Sequence, residues 1–249
     1  MSRMHRAGMA VVIGALAVGA ASTARAQVEG MPLFTNPRYA TGIRVHADIG
    51  LPTDTHAGLG DYNVLQGGAS LALGPVGIDA NVGMTRTDFG TIQNNDVGTQ
   101  TKANVSALLQ LRLAGAGSSP LSLSIFGGGS VDVTAYGFSS LPDSIKNQLG
   151  GDSKVVTIPA GVAVGIKLPL VVINPNLWGS ARMNFHKIIN CPSGTACPNG
   201  KADFRWAVGL DIPILSIISL RAAYDAGKIA GQTVDYFGLG ASIGLGGVR

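Results

Sequence analysis

Ala69-Ser70-Leu71-Ala72-Leu73-Gly74-Pro75-Val76-Gly77-Ile78-Asp79-Ala80-Asn81-Val82-Gly83-Met84 decides the fold. Apolar and polar side chains alternate up to Leu73, a Gly-Pro pair interrupts, and the alternation resumes at Val76. Period-2 alternation makes a strand with two different faces, and Gly-Pro marks a tight turn where a hydrogen-bonded ladder ends. The stretch therefore predicts a β-hairpin with an apolar face (Leu71, Leu73, Val76, Ile78, Ala80, Val82) and a polar one (Ser70, Asp79, Asn81).

The same unit recurs along the chain. Short connections at Ser119-Pro120, Leu168-Pro169 and Ile212-Pro213 repeat the Gly74-Pro75 punctuation. Long polar loops separate them, at residues 51–61, 87–98, 134–153, 187–202 and 226–233. Ten strands fit between: 38–50, 62–74, 76–86, 99–113, 121–133, 154–168, 171–186, 203–212, 214–225 and 234–245. The count falls to eight if the apolar turn Asp211-Ile212-Pro213-Ile214 is no turn.

The apolar face belongs outside. A soluble sandwich would bury that face, but these strands reach the length of about 9–11 residues that crosses a bilayer. The face is also nearly free of charge, as lipid requires: a midplane Arg or Lys there costs about 2–4 kcal/mol. Short turns at one end and long loops at the other complete the pattern of an all-β, antiparallel, up-and-down transmembrane β-barrel. Outward aromatics Phe185, Phe204, Trp206, Tyr224 and Phe237 fall near long-loop ends, and Tyr39 near the opposite end of strand one. They read as a partial interfacial girdle.

The N-terminus reads as a leader. Arg3 and Arg6 precede an apolar run from Met9 to Ala20, and Ala24-Arg25-Ala26 forms a small-x-small cleavage site. Residues 1–26 are thus a signal peptide, 27–37 a periplasmic arm and 38–249 the barrel, with cleavage between Ala26 and Gln27. The 249 residues carry 18 Lys and Arg against 14 Asp and Glu. Three cations lie in the leader, which leaves 15 against 14, so the basic balance gives no reason to expect a nucleic-acid partner. Glycine, at 36 residues, suits curved strands, and the single Glu, Glu29, is poor material for helices.

The strand pattern resembles the small-barrel class of bacterial outer-membrane proteins over about residues 38–245. Ile158-Pro159-Ala160-Gly161-Val162-Ala163-Val164-Gly165 and Leu220-Arg221-Ala222-Ala223-Tyr224 carry the resemblance. It implies an outer-membrane location with both termini in the periplasm. It also implies contact with lipid and lipopolysaccharide, and insertion by the barrel-assembly machinery. The ending Leu245-Gly246-Gly247-Val248-Arg249 departs from the terminal aromatic common in that class.

The polar face carries the chemistry. Arg44, Lys102, Arg112, Lys167, Arg182, Arg205 and Arg221 face inward with Asp48, Asp79, Asp132, Asp211, Asp225 and His46. They predict either a filled, ion-paired interior or a narrow pore with slight anion preference. Ten strands lie nearer the filled end of the barrel series. A third reading makes His46, Asp48, Asp132, His186 and Asp225 the rim of a hydrolase, as in the proteases and lipid A deacylases of this class. No spacing sets a nucleophile beside a base, so no catalytic residue is assigned and a non-enzymatic surface or structural role leads. Trp178 points inward as volume filler. Loop acids Asp54, Asp61, Asp88, Asp96, Asp143, Asp152 and Asp203 lack a calcium-loop spacing, so no metal or cofactor is expected. Cys191 and Cys197 predict a disulfide in one exported loop.

Overall fold

The computed structural model describes residues 31–39, 41–53, 62–92, 95–115, 119–137, 153–169, 174–190, 200–229 and 232–245. Ten strands build the wall: β1 Gly42–Pro52, β2 Tyr62–Leu73, β3 Val76–Asp88, β4 Thr99–Ala114, β5 Leu121–Asp132, β6 Lys154–Lys167, β7 Asn176–Ile189, β8 Lys201–Pro213, β9 Ile218–Ile229 and β10 Tyr236–Gly244. Each pairs antiparallel with its sequence neighbour, and β1 pairs with β10 from Arg44 opposite Gly244 to Pro52 opposite Tyr236. The β8–β9 pairing, Arg205 opposite Gly227 through Pro213 opposite Ser219, completes the ring. The sheet is closed, so no edge strand offers unpaired backbone to lipid. No helix occurs among the described residues.

Alternation dictates which way each side chain faces. On β3, Ile78, Val82 and Met84 stand out into the surroundings, Val82 with 64% of its surface exposed, while Thr85 and Thr87 turn in and are buried. The same inversion runs round the barrel: the large exposed side chains are Leu, Ile, Val, Met, Phe and Trp, while Asp, Arg, Asn, Ser and Thr are buried, together with a smaller set of apolar residues such as Val64, Leu108 and Phe126. A water-soluble barrel has the reverse arrangement. Among the described strand residues, charge on the outward face is confined to the long-loop ends, as at Arg86, Asp88 and Lys187. That is a surface made for hydrocarbon.

The connections refine the predicted boundaries. Leu73 pairs with Val76 across Gly74-Pro75, where Gly74 takes a φ of 59° that a side chain would resist. The β8–β9 turn is real but longer than expected: residues 214–217 bend with Ile214 N–H donating to Ile218 C=O at 3.0 Å, so β9 starts at Ile218 rather than Ile214. Likewise β7 begins at Asn176, with Asn174 and Pro175 outside the strand, while Val171 lies outside the described residues. The strand nearest the N-terminus begins at Gly42 instead of Arg38, because the residues before it do something else.

Candidate functional site: an occupied lumen

The segment Met31-Pro32-Leu33-Phe34-Thr35-Asn36-Pro37-Arg38-Tyr39 runs through the inside of the barrel. Its contacts climb the wall in chain order. Tyr39 lies over Gly77, one residue from the β2–β3 turn, and its hydroxyl donates to the Pro75 carbonyl. Pro37 packs on Gly165, near the short-turn end of β6. The Asn36 amide donates to Asp211, and the Thr35 carbonyl accepts from Gln110 at 3.1 Å. Leu33 clusters with Leu108, Phe126 and Ala163 at mid-barrel, and its N–H donates to Asp225 at 3.2 Å. Pro32 reaches Gly238 and Met31 packs on Val64, both two residues from the long-loop ends of their strands. Fully extended, nine residues reach at most about 30 Å, the thickness of the hydrocarbon core; here a turn at Pro37-Arg38 shortens the segment near the short-turn mouth. The expectation of a periplasmic arm at 27–37 therefore fails for residues 31–37, which are threaded through the lumen. The reason is compositional. Met31, Leu33 and Phe34 pack on apolar wall residues, while the Leu33 N–H, the Thr35 carbonyl and the Asn36 amide bond polar ones, so the segment is a better filler than water.

Glycines on the inward face make the room. A Cβ on Gly238 would meet Pro32 at 2.8 Å, one on Gly165 would meet Pro37 at 2.9 Å, and one on Gly77 would meet the Tyr39 ring at 3.2 Å. Gly209 leaves space for the Trp178 ring and Gly240 for the Asp48 carboxylate. Trp178 is buried with Ala207 and Ala223, and Phe34 packs against that group.

Three polar groups fill the remaining height. Nearest the short turns, Arg221 makes a two-pronged pair with Asp48, its Nε donating to Oδ1 at 2.6 Å, and lies 4.2 Å over the Phe34 ring. His46 sits between two carboxylates, Nδ1 at 2.9 Å from Asp48 and Nε2 at 3.1 Å from Asp79. Asn81 donates to Asp79 at 2.5 Å, and Gln66 donates to Asn81 at 3.2 Å. Further up, Asp225 is clamped by two arginines: Arg182 Nη2 at 2.5 Å and Arg205 Nε at 2.9 Å. Arg205 also donates to the Val234 carbonyl at 2.9 Å and stacks on Tyr236. Near the long-loop ends of β4 and β5, Lys102 pairs with Asp132 at 3.2 Å and approaches the Tyr136 ring, whose hydroxyl meets Thr87 at 2.8 Å. Buried charges persist when each has a partner, and each of these has one.

Most of the charged residues read as inward-facing are paired. Arg112 instead donates to the Gly74 carbonyl at 3.0 Å and stacks on Tyr39, at the short-turn mouth. Lys167 lies at the same end, half-buried. Arg44 donates to Ser219 at 3.1 Å. The residues proposed for a hydrolase rim do not assemble. His46 and Asp48 lie mid-wall, both ring nitrogens of His46 are held by carboxylates, and His186 is on a different strand with Nδ1 at 2.9 Å from the Thr157 hydroxyl. Among the described residues no group of three His, Cys, Asp or Glu side chains could hold a metal. Phe185, Phe204, Trp206, Tyr224 and Phe237 do form an outward group on β7–β10, with Trp206 and Tyr224 rings 5.8 Å apart. Tyr39 is corrected: it belongs to the lumen, since the alternation was extended past the point where the wall begins. Cys191 and Cys197 lie outside the described residues.

Beside the arm, at the short-turn mouth, a cavity of about 290 Å³ remains. Phe34, Asn36, Arg38 and Tyr39 of the arm form one wall, and β1, β8 and β9 contribute Arg44, Asp211 and Ser219.

A closed ten-stranded ring, apolar outside and ionic inside, is a membrane-spanning β-barrel of the outer-membrane type. No protein-family model and no curated protein matches the chain. Solved structures with a similar course include outer-membrane barrels. The translocator domain of the autotransporter NalP from Neisseria meningitidis has 13% identity and a TM-score of 0.44, over 84% of this chain and 90% of that one. The β domain of the Bordetella autotransporter BrkA has 10% identity and a TM-score of 0.46, over 81% and 97%. The Yersinia pestis attachment protein Ail has 10% identity and a TM-score of 0.34, over 81% and 95%.

Proposed function

We propose that this chain is a non-enzymatic outer-membrane barrel whose lumen is sealed by its own first residues. It acts through its long loops at the cell surface. The observation that carries the reading is the segment 31–39, which runs the height of the lumen with Leu33 bound to the buried Arg182–Asp225–Arg205 group. In this reading residues 1–26 direct export and are cleaved before Gln27, and the barrel-assembly machinery inserts the chain. The short turns face the periplasm, and the apolar wall meets lipid while the loops meet lipopolysaccharide. The threaded arm disfavours the narrow-pore reading, because any solute path must share the bore with nine residues of chain.

Planar-bilayer recording of the refolded full-length barrel tests it. The expected record is silent. Steady unitary openings at low voltage would overturn the sealed lumen.

A further inference from the structure

The arm has a direction. It joins β1 on the short-turn side, where the Tyr39 hydroxyl donates to the Pro75 carbonyl and Arg112 lies over the Tyr39 ring. Its last two described contacts, counted backward along the chain, share one level near the opposite mouth. Pro32 lies against Gly238 and Met31 against Val64, and Gly50 of β1 pairs with both Gly238 and Val64. Beyond Gly50, β1 continues only to Pro52, about 7 Å further at the rise of a strand. In the other direction the whole of β1 back to Gly42 lies between Met31 and the short turns. A chain turning back at Met31 would need a second pass through the bore, with partners for each of its backbone groups. The bore is already packed along its height: Trp178, Arg182, Arg205 and Tyr236 are each 2% exposed or less, and the arm's own Thr35 is fully buried. The direct course from Met31 is outward past the long-loop ends of β1, β2 and β10.

We propose that the barrel carries its own N-terminal end outward, so that the chain ahead of Met31 is displayed at the cell surface beside the long loops. The arm is then more than a plug. It is the trailing part of a segment passed through the bore, and a partner at the surface meets a chain end as well as loops. The proposal rests on the reading that the long loops face outward, because that reading assigns this mouth to the surface. The contacts of the arm assign the chain to this mouth independently of it.

Thiol labelling of intact cells tests this, with a maleimide on a polymer too bulky to cross the outer membrane. The full-length chain carries Cys191→Ser and Cys197→Ser, and a single thiol is then placed by Glu29→Cys, by Asp143→Cys in a long loop, or by Ser119→Cys at a short turn. Asp143→Cys should label on intact cells and Ser119→Cys only after lysis. The reverse would overturn the orientation, and the surface display with it. With the orientation upheld, Glu29→Cys should label on intact cells to an extent comparable with Asp143→Cys. Labelling of Glu29→Cys only after lysis, alongside Ser119→Cys, would overturn the proposal alone. The route has its own readout. Gly165→Val and Gly238→Val, which crowd Pro37 and Pro32, should each lower Glu29→Cys labelling severalfold and leave Asp143→Cys labelling as it was. Folding of each variant is read from altered gel migration before boiling, and if one does not fold the other carries the test. Undiminished Glu29→Cys labelling in a folded variant would mean the chain reaches the surface by a path other than the bore, and would defeat the proposal.

Discussion

Arg182 and Asp225 meet at 2.5 Å where neither side chain has any exposed surface. Arg205 reaches the same carboxylate from the other side, and the arm's Leu33 N–H shares it. One carboxylate therefore holds two cations and the threaded segment together. Asp225→Ala leaves two guanidiniums buried without their counter-ion. Breaking a buried pair in this way costs about 3–5 kcal/mol. Urea unfolding of the barrel in lipid vesicles should show a loss of that size. A loss under about 1 kcal/mol, the range of an exposed pair, would mean the group is wet.

The arm's seat depends on missing side chains. Gly165→Val places bulk where Pro37 sits, and Gly238→Val does so at Pro32. Both should unseat the arm while the wall still closes. The expected result is bilayer conductance with gel migration still heat-modifiable. Gly179, where a Cβ has 3.7 Å of clearance, is the control: Gly179→Ala should stay silent.

Arg221 over Phe34 is a contact between wall and arm at 4.2 Å. A double-mutant cycle with Arg221→Met and Phe34→Leu isolates it from the Arg221–Asp48 pair. A cation–π contact of this kind contributes about 0.5–2 kcal/mol, depending on how dry it is. A coupling energy of zero would place Phe34 elsewhere in the bore.

Val82 tests what surrounds the wall. It lies at the middle of β3 on the outward face with 64% of its surface exposed. In a water-soluble barrel Val82→Arg would be nearly neutral. In a bilayer it should cost about 2–4 kcal/mol in vesicle unfolding.

The wall was legible because lipid on one side and ionic groups on the other force strict alternation, and Leu73-Gly74-Pro75-Val76 marks its turns plainly. The arm was not. Met31-Pro32-Leu33-Phe34-Thr35-Asn36-Pro37 has two prolines and no period, and its partners, from Val64 to Gly238, lie far along the chain. Two signs of it were nevertheless in the sequence. Inward positions such as Gly77, Gly165 and Gly238 lack the side chains a filled ten-stranded barrel needs, and inward Val64, Leu108 and Phe126 are too apolar for a water-filled bore. Something apolar had to lie against them. Tyr39 was misplaced for a related reason: alternation says which residues share a face, but not where a strand starts.

Two residues join Tyr39 to β1, so the arm is a ligand tethered to its own receptor. Its local concentration in the bore is on the order of millimolar for so short a link, and dilution does not lower it. A free peptide copying residues 31–39 would therefore displace it only at comparable concentrations. Any solute seeking passage meets the same standing competitor. The selectivity of this bore would then be set less by its diameter than by what can outbid Leu33 for Asp225.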